Sequence, residues 1–409
     1  MKKFLRPVYA AAGYTTIFFG PGRKEFNPKN PMPPFESYLK DVGKGVMEQI
    51  PNPQFDEGVI GSFMCARFLN QANIPGFLPY LCSDLEGKPC TGVEGACGTG
   101  GRAIATAVKT VLSGLAESVL VIGFEIQNSV KPLYGADILA GAAYYNGERK
   151  KGHAHFFPGI FAERAGAYYK KYGEEHTRRG MAAWYEHCIQ NARKYPHAQE
   201  YHNQVEDLFG LAMTPPNPSA FLPHLNLYDC SKVSDGAAGI IIASEEGLKR
   251  LGLEQKEAIE VIAMGAAESD ITLPPQDLTR LTTSEIAIKK ALVGLDRSQI
   301  GHLELHDCFS ITGLLGLEAA GFAKQGEAAD LVRSGALRAG AELSTNISGG
   351  LGGYGHPTGA TGVRQLVDLW AQGTGRALNG FETKKELGLM VSMGGNDKTV
   401  TAIVTRRNR

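Results

Sequence analysis

Two spacings of apolar residues alternate along the 409-residue chain, one helical and one strand-like. Ala103, Ala107, Val108, Val111 and Leu112 recur on one helical face, and Gly114 then supplies a stop. The run SVLVIGF that follows is apolar throughout and predicts a strand buried on both faces, of the parallel-sheet type. Upstream, the pattern predicts a first strand near the N-terminus, a Pro/Gly-rich loop over 18–34, a helix over 35–49 and a strand in EGVIGSFM. The last third repeats this rhythm. AIEVIAMGAAE reads as a strand, TTSEIAIKKALVGL as a helix, HLELHDCFS as a strand ending in polar side chains and ITGLLGLEAAGF as a helix. NISGGLGGYGHPTGATGVRQLVDLW is a Gly-rich turn opening into a helix, and LGLMVSMGG with TVTAIVT forms a closing hairpin.

Between about 130 and 230 the texture changes to helical stretches rich in aromatic residues and His, including Tyr144, Tyr145, His155, Phe156, Phe157, Trp184 and Tyr185. This segment reads as an insertion over an α/β body, the usual construction of a lid, or equally as an aromatic-rich satellite of the core. After SKVSDG, which reads as a DG turn, GAAGIIIAS returns to strand character. The expected organisation is 1–129 with 231–250 as one half, 130–230 as the insertion and 251–409 as a second half. If the halves are similar and face each other, Cys97 and His356, each just before a helix, are brought together.

Composition narrows the class without naming an activity. Forty-two basic residues balance 42 acidic ones, so no electrostatic footprint points to nucleic acid or to an anionic membrane. Gly is in excess at 51 residues, which predicts many tight turns and close backbone approaches. The seven cysteines contain no CxxC pair, and the spacing of Cys82, Cys90 and Cys97 suits no zinc knuckle or ribbon. Free thiols suggest a reducing, cytoplasmic setting. Arg6 and Pro7 interrupt the apolar N-terminus, which therefore reads as a strand rather than a signal peptide. No apolar run approaches the roughly 18 residues of a membrane span.

Cys97, in EGACGTGG, precedes a helix whose unpaired amides and dipole would favour a thiolate. A small buried hydrophobe is the other reading of such a Cys, and both stay open at this point. His356 in GHPTGATG is held in extended conformation by Pro357 and suits a base for the Cys97 proton. His306 and Cys308 of HDCF alternate to one side at the carboxyl end of a strand, where α/β proteins keep reactive groups. The amides of Gly394 and Gly395 in SMGG offer an oxyanion hole.

Together, EGACGTGG, VIGFEIQNS, NARKYPHAQ, DGAA at 235–238, HDCF and GHPTGATG resemble the thiolase family, in order and over nearly the whole chain. HDCF is similar to the sterol-carrier-protein-x type. The resemblance implies an α/β thiolase fold, two βαβαβ halves making a five-layered α-β-α-β-α body with an inserted loop domain. It implies Cys97 as the acyl-accepting nucleophile, His356 as its activator, His306 as donor to the substrate thioester oxygen and Cys308 as the second acid/base. The second reactive Cys of many thiolases falls here at Ser392, with Gly394 following. It implies coenzyme A and acyl-CoA as substrates, no metal or organic cofactor, and a homodimer or dimer of dimers. A small zinc-ribbon/OB-fold partner subunit also occurs in this subgroup. The expected reaction is thiolysis of a 3-oxoacyl-CoA or the reverse Claisen condensation. The aromatic residues of 144–185 and 14–35 hint at a bulky acyl group, as in a thiolase converting benzoylsuccinyl-CoA to benzoyl-CoA and succinyl-CoA. Formation of acetoacetyl-CoA, or a non-catalytic acyl-CoA-binding subunit, are the alternatives. A papain-like hydrolase is disfavoured by the parallel-sheet rhythm and by the residues around Cys97.

Overall fold

Ten strands pair into one mixed sheet in the computed structural model, which describes residues 4–153, 155–218, 221, 223–383 and 385–408. In chain order they are β1 (Tyr9–Thr15), β2 (Glu57–Gly61), β3 (Cys90–Val93), β4 (Ser118–Ile126), β5 (Asp235–Ala243), β6 (Ala258–Glu268), β7 (Ile300–Glu304), β8 (Ser344–Thr345), β9 (Leu387–Gly394) and β10 (Thr399–Arg407). Their spatial order, β3-β2-β4-β5-β1-β6-β10-β9-β7-β8, is the same sequence of positions read outward from the centre on both sides. In each half the first strand lies innermost and the third outermost. The outer three strands are parallel and the inner pairings antiparallel. The halves join where β1 meets β6, from Tyr9 opposite Glu260 to Ala11 opposite Ala258.

The period-2 pattern of the strands sorts their side chains into three apolar layers. Val59, Val121, Ile240 and Ile242 face the same interior cluster as Met390 and Ile403 of the second half. The alternating Ile60, Leu120, Ile122 and Ile241 face an outer cluster closed by the helix Phe35–Met47. Leu389, Val391, Ala402 and Val404 face the opposite outer cluster, which contains Ala287 and Ile288 of the helix Thr282–Ala291. Two helices fill the central layer. Thr99–Ser113 joins β3 to β4, and Thr358–Thr374 occupies the equivalent link between β8 and β9. The second of these is buried from Thr358 through Gly373, including Arg364, Gln365 and Asp368. The result is the five-layered α-β-α-β-α body.

These central helices touch backbone to backbone. A Cβ on Gly100 would lie 2.6 Å from the Val363 nitrogen, and one on Gly362 would lie 2.3 Å from the Gly101 nitrogen. Among the described residues no strand occurs between β4 and β5. That stretch carries the long helices Phe156–Tyr172 and Glu174–Ala192.

Three expectations from the sequence are corrected. SVLVIGF lies in β4, which is parallel to β2 on one side but antiparallel to β5 on the other, so its burial reflects a mixed sheet. Asp235 and Gly236 form no turn; they open β5 opposite Ile126 and Glu125, and the Asp235 carboxylate accepts the Gln127 and Asn128 amides. The strand expected over HLELHDCFS stops at Glu304. Beyond it the side chain of Asn346 replaces the ladder, accepting from the Leu305 amide (2.7 Å) and donating to its carbonyl (3.1 Å).

The glycine crossing yields a stability prediction. Gly100→Ala forces a methyl group onto the opposing helix backbone and should destabilise by about 1–3 kcal/mol. A fall in the denaturant midpoint at unchanged slope would show it; an unaltered midpoint would mean that the two helices can separate without loss.

Candidate active site

Each central helix begins at a turn that its backbone forces tight. Ala96 sits at φ 54, in the left-handed region, directly before Cys97, and the turn Ala96–Gly98 feeds the helix. Thr99 locks it, its hydroxyl accepting the Gly95 amide and donating to the Ala96 carbonyl. On the other helix, His356 follows Gly355 at φ 115, and its amide donates to the Ser234 hydroxyl and the Lys232 carbonyl. Glu125, the one charged residue of β4, binds both sides of this junction. Its carboxylate accepts from the Ser62 hydroxyl and the Phe63 and Met64 amides, and from the Thr358 hydroxyl and Gly359 amide at the start of the His356 helix.

The Cys97 sulfur and one ring nitrogen each of His306 and His356 lie within 4.8 Å of one another. The imidazoles meet edge to face, 5.1 Å between centroids. The hydrogen-bond network assigns the His356 tautomer. The single hydroxyl proton of Thr361 goes to the Pro357 carbonyl, so His356 Nδ1 donates to Thr361 Oγ1 at 2.7 Å. Nε2 is left as a lone-pair acceptor, buried and without a hydrogen-bond partner. Both ring nitrogens of buried His306 are likewise unpartnered. Cys308 shares the pocket wall with Cys97 and His356, whereas the adjacent Asp307 points away and accepts from Trp184 Nε1 (2.9 Å), the Cys188 thiol and the Leu351 amide. The HDCF segment thus sends His306 and Cys308 toward the sulfur of Cys97 and uses Asp307 as an anchor.

Gly395, not Gly394, presents its amide to the sulfur of Cys97, alongside the amide of Cys97 itself. Gly394 is instead the place where strand meets turn, since a Cβ there would lie 2.3 Å from the Gly95 carbonyl. Ser392 faces the central helices, its side chain against Gly101 and Gly362, and lies outside the pocket. The turn after β9 is clamped by two residues that periodicity does not reveal. Arg164, fully buried, donates to Asn396 Oδ1 at 2.5 Å and to the carbonyls of Leu278 and Arg280. The Asp397 carboxylate accepts the Thr283 and Ser284 amides. Of the missed residues, Glu125 alone left a signal: one carboxylate within the apolar run SVLVIGFEI.

The resting site is electrically neutral. Burial, reinforced by the charge of Glu125, pushes the Cys97 thiol up to about 12, opposite to the depression expected from the helix N-terminus. Burial and the Arg364 guanidinium hold His356 down to about 3, and burial, His356 and Arg364 hold His306 well below its usual value. Burial and the neighbouring Cys97 raise the Cys308 thiol well above its usual value.

Cys97, Cys308 and His356 open onto a pocket of about 700 Å³, whereas His306 lies behind them, outside its lining. Its walls are mostly apolar, with Phe68, Phe156, Phe157, Phe161, Phe221 and Phe309 prominent. Phe161 stacks on Phe309 at 4.4 Å. The segment 14–35 lends only Pro21 and Gly22 to the wall, and Trp184 serves Asp307, so the aromatic residues there and at 184–185 do not line this cavity.

The architecture and the pocket define an α/β protein of the thiolase-fold class. Residues 266–407 match the family model "Thiolase C-terminal domain-like". Acetyl-CoA acetyltransferase of Methanocaldococcus jannaschii is 30% identical over 377 residues, covering 90% of this chain and 92% of that protein. Benzoylsuccinyl-CoA thiolase subunit BbsB of Thauera aromatica is 29% identical over 293 residues, 70% of each chain. The solved structure of an "Ltp2-ChsH2(DUF35) aldolase" superposes with a TM-score of 0.78 at 18% identity, covering 99% of both chains. This chain belongs to the thiolase family and is an acyltransferase acting on acyl-CoA. Among the described residues no helix is long and apolar enough to cross a membrane.

Neutral buried histidines bear on acid stability. An imidazole held neutral in the fold binds no proton where the unfolded chain, with a pKa near 6.5, does. Stability from His302, held to about 4, His306 and His356 is therefore present above about pH 6.5 and lost as pH falls toward the folded values. By about pH 5 each should remove up to roughly 2 kcal/mol. Denaturant unfolding at about pH 7.5 and about pH 5 measures the loss, and equal midpoints would contradict it.

Proposed function

We propose that the protein is a thiolase that splits a bulky 3-oxoacyl-CoA through an acyl-enzyme on Cys97. The observation that carries this is the fixed tautomer of His356, which leaves Nε2 buried and unpartnered, on a ring with a nitrogen within 4.8 Å of the Cys97 sulfur at an apolar pocket. His356 Nε2 takes the Cys97 proton as the sulfur attacks the 3-oxo carbon, so the ion pair, unfavourable at rest, forms only with the new bond. The resulting oxyanion is met by the amides of Gly395 and Cys97. Breaking the C2–C3 bond regenerates the carbonyl as a thioester on Cys97 and releases an enolate of the shorter acyl-CoA. His306 donates to that enolate's oxygen. The thiol of Cys308, held protonated by burial, delivers the proton to C2. Cys308 then takes the thiol proton of incoming coenzyme A, whose sulfur attacks the Cys97 thioester. Cys97 leaves with the proton returned by His356. Reversal of these steps is a Claisen condensation, and no cofactor enters them.

The phenylalanine-rich wall supports a bulky or aromatic acyl group, and the likeness to the Thauera aromatica subunit supports benzoylsuccinyl-CoA cleavage to benzoyl-CoA and succinyl-CoA as the specific case. Acetoacetyl-CoA formation is the alternative, supported by the likeness to the Methanocaldococcus jannaschii acetyltransferase. We further propose a dimer at least, because β3 is an outermost strand with partly exposed residues and an open edge. A small zinc-ribbon/OB-fold subunit is a second proposed partner, supported by the fold shared with Ltp2-ChsH2(DUF35) aldolase, whose name couples it to a DUF35 chain. The division into 1–129 with 231–250, 130–230 and 251–409 is proposed as the functional one, with the middle segment covering the pocket.

Two measurements test this reading. Intact mass after incubation with an aromatic 3-oxoacyl-CoA should show one acyl adduct on the wild type and none on Cys97→Ala; an adduct that survives in Cys97→Ala sinks the acyl-enzyme. Cys308→Ala should still acylate from a simple acyl-CoA but lose turnover of 3-oxoacyl-CoA by on the order of 10²–10⁴. Unchanged turnover would remove Cys308 from the chemistry. In the same assay aromatic substrates should exceed acetoacetyl-CoA in kcat/KM, and the reverse ranking would favour the acetyltransferase alternative.

A further inference from the structure

We propose that Cys97, His306 and His356 also form a binding site for a thiophilic divalent cation, zinc foremost, whose occupancy reversibly blocks the sulfur. The three donor atoms lie within 4.8 Å of one another. Zinc at about 2.3 Å from sulfur and about 2.0–2.1 Å from nitrogen sets its ligands roughly 3.3–3.7 Å apart, so each pair closes by at most about 1.5 Å. Two histidines and a thiolate are a zinc donor set, and a fourth position remains for water.

A second observation, independent of that spacing, points to a ligand. His306, only 4% exposed, leaves both ring nitrogens without hydrogen bonds, and His356, 7% exposed, leaves Nε2 without one. Buried unpaired nitrogens are unfavourable, and a cation among them relieves that state. His356 already has the arrangement of a metal-bound imidazole. Its Nδ1–H is fixed by the Thr361 hydroxyl, which in turn is held by the Pro357 carbonyl, and the lone pair of Nε2 points inward. Two buried charges flank the centre. The Glu125 carboxylate acts on Cys97 and favours a cation, while the Arg364 guanidinium opposes one but is paired with Asp368 and faces Glu304 at 3.7 Å. The pocket supplies the entry path. Binding exchanges the thiol proton of Cys97 for a metal–sulfur bond, releasing one proton to solvent without change of oxidation state.

That occupancy is inhibitory rests on the proposed acyl-enzyme on Cys97; the binding itself does not. Cobalt(II), added without oxygen or acyl-CoA to the purified full-length protein, serves as the spectroscopic stand-in for zinc. The expected result is a near-ultraviolet sulfur-to-cobalt band at one ion per chain, displaced by zinc and removed by a chelator. Loss of a partner outside the ligand shell already weakens metal binding about 10–100-fold. Cys97→Ser should therefore weaken cobalt binding more than roughly 100-fold and abolish the band, and His356→Gln should weaken it and shift the visible spectrum. An absent band in the wild type, or a band that persists in Cys97→Ser, overturns the site. Prior acylation by an acyl-CoA should suppress the band. A protein that acylates but shows no band loses the metal site alone, whereas one that shows the band but never acylates loses the acyl-enzyme alone.

Discussion

The rest of the structure depends on the contact between Gly100–Gly101 and Gly362, where two buried helices approach closely enough for backbone to meet backbone. Because the two halves share one strand order, these helices occupy equivalent positions, and each is preceded by its own tight turn. Bringing the helices together at their first turns therefore brings the turns together as well. Any side chain at the crossing would spread them and with them the Cys97 sulfur and the His356 ring. A second set of close approaches, Gly123 on the Gly359 carbonyl and Gly394 on the Gly95 carbonyl, seats both turns on the sheets. The excess of glycine is in this sense a requirement of the central layer.

Packing this tight removes water, which decides the resting charge state. The sulfur sits at the base of an apolar pocket and shares its surroundings with Glu125, so a thiolate there is disfavoured despite the adjoining helix N-terminus. The helix dipole contributes about 0.3–1 kcal/mol near its first turn, up to roughly 2 in partly buried sites, which is smaller than the effect of full burial on a thiol. Glu125 tolerates its position because five protein donors satisfy its two oxygens. Those same donors tie β4 and the segment after β2 to the start of the His356 helix. One carboxylate is both a structural knot and a reason for the neutrality of the sulfur. A reactive pair held neutral in this way separates charge only when a reacting carbonyl is present to receive it.

Much of this was legible in the sequence, and the limit of legibility has a physical cause. Helix and strand periodicity located the central helix over 103–112 and the strands at 118–124 and 258–268 because burial against the sheet leaves a regular apolar pattern. Cys97, His306, Cys308 and His356 stood out because each lies in a short motif whose neighbours constrain the backbone. What escaped depends on residues distant in the chain. Asp-Gly at 235–236 has the composition of a turn, yet pairing with β4 and the carboxylate bonds to Gln127 and Asn128 draw it into a strand. The end of β7 is set by Asn346, some forty residues on. The choice of Gly395 over Gly394 follows from strand alternation at the end of β9, where Ser392 and Gly394 face the central helices and the amide beyond them is the one turned to the pocket.

Arg164 shows what such distant wiring accomplishes. It lies on the helix Phe156–Tyr172, three residues after Phe161 and seven after Phe157, so all three project from neighbouring positions on one face. The two phenylalanines wall the pocket, and the guanidinium crosses to Asn396 and holds the turn whose Gly395 amide faces the sulfur. A buried guanidinium is a costly clamp; here Asn396 and the carbonyls of Leu278 and Arg280 meet the hydrogen bonds of Nε and Nη1, Nη2 is left without a partner, and Asp397 supplies the opposite charge. The inserted segment is therefore more than a cover. Whatever displaces the Phe157–Phe161 face shifts the anchor of the amide that must meet a developing negative charge. Occupancy of the apolar pocket and the alignment of the Gly395 donor are in this way linked through a single helix.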